Sequence, residues 1–167
     1  MKEKKIITWG IIVILWMAFI FLMSSFDAND SDSQSKTVAM TIVEKYDEVT
    51  GASEDIIMKH HEMEYVRSIN HLFRKMAHGF VYLVLALLLI KFFTLFDKYS
   101  LVKCILFSMC ICFFYACTDE FHQIFINGRT GKFRDVIIDS VGSFIGCTIC
   151  IVWRKIKKEM LVKKCQI

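Results

Sequence analysis

Residues 101–123 read LVKCILFSMCICFFYACTDEFHQ. Eighteen residues, Leu101 to Thr118, are almost wholly apolar, and Asp, Glu, His and Gln then follow within five positions. An 18-residue helix is about 27 Å long, close to the thickness of a bilayer core. Three more blocks of the same kind lie elsewhere: IITWGIIVILWMAFIFLM (Ile6–Met23), GFVYLVLALLLIKFFTLF (Gly79–Phe96) and VIIDSVGSFIGCTICIVW (Val136–Trp153). In a chain of 167 residues too little polar sequence remains to cover four such helices in water. The sequence predicts an all-α integral membrane protein, a bundle of four transmembrane helices with amphipathic helices in a long extracytoplasmic loop.

The first block follows MKEKK, as a signal peptide would. Its apolar run exceeds the usual signal core of about 7–15 residues, and no small-x-small cleavage site stands near Met23 to Phe26, so an uncleaved anchor is expected. The chain has no proline, which leaves helix ends to glycine, caps and charge. Six of the seven cysteines fall inside apolar blocks, a placement unlike a secreted disulfide framework. Cys147-x-x-Cys150 has a redox spacing but sits in mid-span and reads as packing.

Charge sets the expected topology. Lys2, Lys4 and Lys5 precede the first block, Lys98 and Lys103 flank the link between the second and third, and Arg154 to Lys164 follow the fourth. The positive-inside rule places these regions, and so both termini, in the cytoplasm of a multi-pass cell-membrane protein. The basic tail reads as an anchor against anionic lipid heads, not as a nucleic-acid site. The expected divisions are 1–23 as anchor helix, 24–73 as extracytoplasmic loop, 74–153 as a three-helix core and 154–167 as cytoplasmic tail. Within the loop, Val38, Ile42, Tyr46 and Val49, then Ile56, Met63, Val66, Ile69 and Phe73, recur near helical spacing and predict two amphipathic helices at the membrane surface or capping the bundle. His60, His61 and His71 lack carboxylates or cysteines at metal spacing and read as solvated.

Chemistry-bearing residues concentrate where the last three spans reach the outer side. Arg74, His78 and Tyr82 share a helix face bordered by Lys75. Asp119, His122 and Gln123 share another, with Glu120 to the side. Two carboxylates at a helix C-terminus oppose the macrodipole and call for a partner elsewhere. Asp135, Asp139, Gly142 and Gly146 form one stripe, with Asp139 about a turn inside the apolar block. A lone carboxylate there costs roughly 2.5–3.5 kcal/mol, so Asp139 is expected to be neutral or paired with Arg74, His78 or Arg129. Gly142-x-x-x-Gly146 permits close helix contact, and NGRTG sets Arg129 in a turn beside the same mouth.

The motifs RKMAHGFVY and YACTDEFHQIFINGRTGKFRDVIIDSVGSFIG resemble those of the VanZ-like family of small bacterial membrane proteins. Their matching positions are Arg74, Lys75, His78, Tyr82, Tyr115, Asp119, Glu120, His122, Gln123, Phe125, Gly128, Arg129, Asp135, Asp139, Gly142 and Gly146. The chain departs from the family at Asn127, where proline is common, and keeps Ser24 and Ser25 after the first span without the adjacent glutamine. The family's namesake is associated with low-level resistance to teicoplanin, a lipid-anchored glycopeptide acting outside the membrane. The resemblance implies an outward site and no particular reaction.

Three functions compete. In the first, a non-enzymatic envelope protein binds a membrane lipid head, a cell-wall precursor or a lipoglycopeptide through Arg74, Lys75 and Arg129, ordered by the carboxylates. In the second, a membrane enzyme uses His78, Asp119, Glu120 and His122, with Asp135 beside them, for acid–base work or as mixed N and O ligands of a divalent metal. In the third, the chain is a transporter or channel subunit, for which a homo-oligomer would complete a path. No cofactor is implied, and no nucleophile motif is present.

Overall fold

The computed structural model describes residues 2–25, 56–126 and 131–165, with side chains over 2–25, 75–126 and 131–161. Four helices make up the described chain: α1 (Lys2–Ser24), α2 (Ile56–Phe93), α3 (Leu101–Gln123) and α4 (Phe133–Cys165). Each carries a segment long and apolar enough to cross a membrane, and no strand occurs among the described residues. The amphipathic helix expected within residues 31–50 and the turn 127–130, with Arg129, lie outside the described residues, as do the side chains of His60, His61, His71 and Arg74.

Two helices outrun their apolar blocks. The stretch from Ile56 is continuous with the second span, making α2 38 residues long. The fourth span continues through the basic tail, making α4 33 residues long. The divisions expected at 73/74 and 153/154 therefore fall inside helices. No glycine or proline stands between Ile56 and His78 or between Val152 and Cys165, and extending a formed helix costs far less than starting one. The link between α2 and α3 is tight: Ser100 caps α3, its hydroxyl accepting from the Lys103 N–H at 3.4 Å.

In lipid, helices gain little from burying apolar surface against each other, so packing and polar contacts must hold them. The most extensive pairing is α2 on α4. A Cβ added at Gly142 would sit 2.1 Å from the Gly79 carbonyl oxygen, and one at Gly146 would sit 2.6 Å from that of Leu83. The backbones touch there, and only hydrogen fits. Ser143 extends the seam, its hydroxyl donating to the Asp139 carbonyl at 3.0 Å and facing that of Tyr82 at 3.4 Å. Helix α1 is fastened by two donors: Trp16 Nε1 donates to the Val81 carbonyl at 3.0 Å, and the Tyr115 hydroxyl to the Met17 carbonyl at 2.5 Å. Tyr82, Leu85, Leu89, Ile90, Cys112, Ala116 and Cys147 fill the interior, while Phe80, Leu106, Phe114 and Phe144 point outward as lipid-facing side chains do. Cys147 and Cys150 are free thiols.

The helices alternate in direction. Lys2 at the start of α1 pairs with Asp97 just beyond α2, and Arg154 of α4 comes near Cys104 at the start of α3. The other end of the bundle gathers Ser24, His78, Asp119 and Asp135. The touching backbones at Gly142 imply that Gly142→Ala lowers the unfolding free energy in detergent by about 1–3 kcal/mol, the range for overpacking. Gly10, whose added Cβ would meet only the tip of Phe92 at 3.4 Å, is the control. Gly10→Ala should shift the thermal midpoint, followed by tryptophan fluorescence, far less.

Candidate functional site

The far end of the bundle holds four carboxylates within a few helical turns. Two come from the last turns of α3 and two from the first turns of α4, while α2 contributes its span entrance between them. Their partners differ, and the differences sort their roles.

Glu120 is buried, and its Oε2 accepts a 2.8 Å hydrogen bond from the backbone N–H of Lys132, immediately before α4. Unpaired N–H groups and a positive partial charge gather at a helix start, so a carboxylate there is stabilising. Gly131 lies flat against the same residue: an added Cβ would come within 2.4 Å of the Glu120 carbonyl oxygen. Glu120 thus ties the end of α3 to the start of α4. Asp135, in the first turn of α4, lies 3.4 Å from Lys75 Nζ on α2. That half-shielded pair joins the helices and explains Lys75 better than lipid snorkelling does.

Asp119 is 2% exposed. Its Oδ2 accepts from Gln123 Nε2 at 3.2 Å, one turn on. Its Oδ1 has no hydrogen-bond partner, although Ser24, His78 and His122 all lie close enough to act on the carboxylate. His122, on the same helix, stacks against Phe21 of α1 with ring centroids 4.2 Å apart. Asp139 is 1% exposed, and neither carboxylate oxygen has a partner. Among the described residues the charges that bear on it are Asp119, Glu120 and Asp135, all negative. Of the partners expected for it, His78 makes no hydrogen bond to either oxygen, and the Arg74 and Arg129 side chains lie outside the described residues. Tyr82, fully buried on α2, sets its hydroxyl among Asp119, Asp139 and Tyr115, also without a hydrogen bond.

The buried side-chain atoms that lack a hydrogen bond among the described residues belong to Ser24, Tyr82, Asp119, His122, Asp135 and Asp139. They gather at this end of the bundle. Each orphaned buried donor or acceptor costs about 1–3 kcal/mol, so their concentration in one place points to something that normally meets them. The arrangement offers acceptors in excess, chiefly carboxylate and hydroxyl oxygens. It can hold a group rich in N–H or O–H donors. Among the described residues no three of His, Cys, Asp and Glu are disposed to hold a metal ion.

Of the residues singled out from sequence, Lys75, His78, Tyr82, Asp119, Glu120, His122, Gln123, Asp135 and Asp139 come together at this end. For Arg74 only the backbone is described, and Arg129 lies outside the described residues. Sequence reasoning drew the site from three spans and missed the fourth contributor, α1. Ser24, fully buried, and Phe21 bring the first helix onto Asp119 and His122. The available signal was the serine closing the first apolar run.

Searches among curated proteins and among solved structures returned no match. A family model described as VanZ/LLP1 matches residues 9–154, from within α1 to just past the last apolar block, and takes in every residue of the cluster. That match covers most of the chain, and the protein belongs to the VanZ/LLP1 family.

Proposed function

We propose that this membrane protein of the bacterial cell envelope binds the polar head of an amphiphile, a lipid or a lipoglycopeptide, at the outer end of its bundle. The observation that carries the reading is the gathering of unpartnered, buried polar atoms from all four helices at one end. Such a set is costly to leave empty, and its place at the end of the spans suits a ligand whose tail stays in lipid. Lowered susceptibility to teicoplanin is the phenotype that fits this ligand class. Arg74 and Arg129 serve as further contacts to the head group.

Outward orientation follows from charge. The opposite end carries Lys2, Lys4 and Lys5 and the run Arg154 to Lys164, which the positive-inside rule keeps in the cytoplasm. Enzymatic use of the site rests on His78 and His122 beside Asp119, an acid–base grouping. Incubating the purified protein with lipid extract and finding altered head groups would favour that use over binding.

Two experiments test the main reading. Green fluorescent protein fused after Ile167 should fluoresce, and alkaline phosphatase at the same place should be inactive; the reverse pattern overturns the orientation. Expression in a teicoplanin-susceptible host should raise the inhibitory concentration. Arg129→Ala and Asp119→Asn should return it to baseline at unchanged membrane abundance. Undiminished protection by both variants would remove the site from the function.

A further inference from the structure

Of the four carboxylates, three are provided for. Glu120 is bonded to the Lys132 N–H, Asp135 is paired with Lys75, and Asp119 is bonded on one oxygen to Gln123 and has His78 and His122 nearby. Asp139 has none of these. It is buried about one turn inside the span, both its oxygens lack hydrogen-bond partners, and the charges near it among the described residues, Asp119, Glu120 and Asp135, are of its own sign. Two buried hydroxyls lie at the same place. Tyr82, 0% exposed, lies among Asp119 and Asp139 with its hydroxyl unbonded, and Ser24, 0% exposed, lies close enough to Asp119 to act on its carboxylate although no well-formed hydrogen bond joins them.

The chemistry of this set is one-sided. Carboxylate and hydroxyl oxygens accept, and together they exceed the donors that reach them. An anionic head would add a fifth negative charge to four carboxylates. A neutral head would satisfy hydrogen bonds only with Asp139 kept neutral, because an uncompensated charge in a bilayer is among the most expensive arrangements a protein can keep, whereas a cation lets the carboxylate ionise. A group carrying one positive charge and several N–H donors answers both demands at once.

We infer that Asp139, Asp119 and the Tyr82 hydroxyl form a receptor for a singly charged cationic group, the protonated amine of an amphiphile's head or a free monovalent cation. Asp139 supplies the counter-charge. Asp119 contributes its free oxygen, and Tyr82 and Ser24 complete the shell of oxygens. Lys75 is held off by Asp135 and does not compete. This inference rests on the amphiphile-binding reading and adds to it a cationic group on the ligand, beside whatever part of the head Arg74 and Arg129 contact.

The test uses the purified full chain in dodecyl maltoside micelles, with thermal unfolding as readout. Dodecylammonium chloride is titrated against sodium dodecyl phosphate, which has the same tail and opposite charge. Ammonium chloride and sodium chloride probe free cations, and N-methylglucamine chloride fixes the ionic-strength baseline. Dodecylammonium should raise the midpoint saturably, and dodecyl phosphate should not. Asp139→Asn should unfold no earlier than the parent without ligand and need about tenfold more dodecylammonium for the same shift, the loss of a charged hydrogen bond. Tyr82→Phe, which keeps the ring, should need about threefold more, and decides the question if Asp139→Asn is not recovered folded. Ammonium or sodium chloride matching dodecylammonium would uphold cation recognition and assign it to the free ion. Dodecyl phosphate acting alone would overturn the inference and leave amphiphile binding standing. No response to either amphiphile or to the salts would overturn both. A dodecylammonium response unchanged in both variants would overturn the receptor.

Discussion

The fold depends on the backbone contact between α2 and α4. Where Gly142 meets Gly79 and Gly146 meets Leu83, there is no room for even a methyl group. In a bilayer this closeness replaces the hydrophobic drive available to soluble bundles. It also has a chemical result. Tyr82 and Asp139 sit within four residues of those contact points, on the facing sides of the two helices. Glycine therefore decides where a buried phenol and a buried carboxylate meet, and α3 and α1 close around that meeting point through Asp119 and Ser24.

The carboxylates at this end look alike in sequence and are unlike in place. Glu120 faces the start of α4 and is a structural tie. Asp135 is near the rim, half-shielded, and spends its charge on a lysine of α2. Asp119 lies deeper and is partly satisfied by a glutamine one turn away. Asp139 is deepest and is satisfied by nothing described. The two deepest, Asp119 and Asp139, carry three of the unmet carboxylate oxygens, and Asp135 at the rim carries one. A network built only for stability would place its best-satisfied groups deepest, because unpaired polar atoms cost most there.

Much of this was legible beforehand. Four apolar blocks of bilayer length announce spans whatever their packing, and the four-residue steps of Arg74, His78 and Tyr82 and of Asp135 and Asp139 put those residues on common faces. Helix length was less legible. Hydropathy marks where a helix is in lipid and says nothing of where it stops, so the amphipathic stretch from Ile56 read as a separate element. Partners were the least legible. Glu120 bonds to a backbone N–H, which every residue except proline possesses. Ser24 meets Asp119 across 95 positions of chain, from a helix apolar on all sides whose sequence shows no preferred face. Contacts of that kind exist only once tertiary structure does.

Helix α2 has a mechanical meaning. At 1.5 Å per residue its 38 residues measure about 57 Å, nearly twice the thickness of a bilayer core. The segment apolar enough to cross, Lys75–Phe93, is 19 of those residues, and His78 and Tyr82 lie in its first turns. Because the helix is unbroken, the backbone before Lys75 and the two side chains that border the acids belong to one stiff rod.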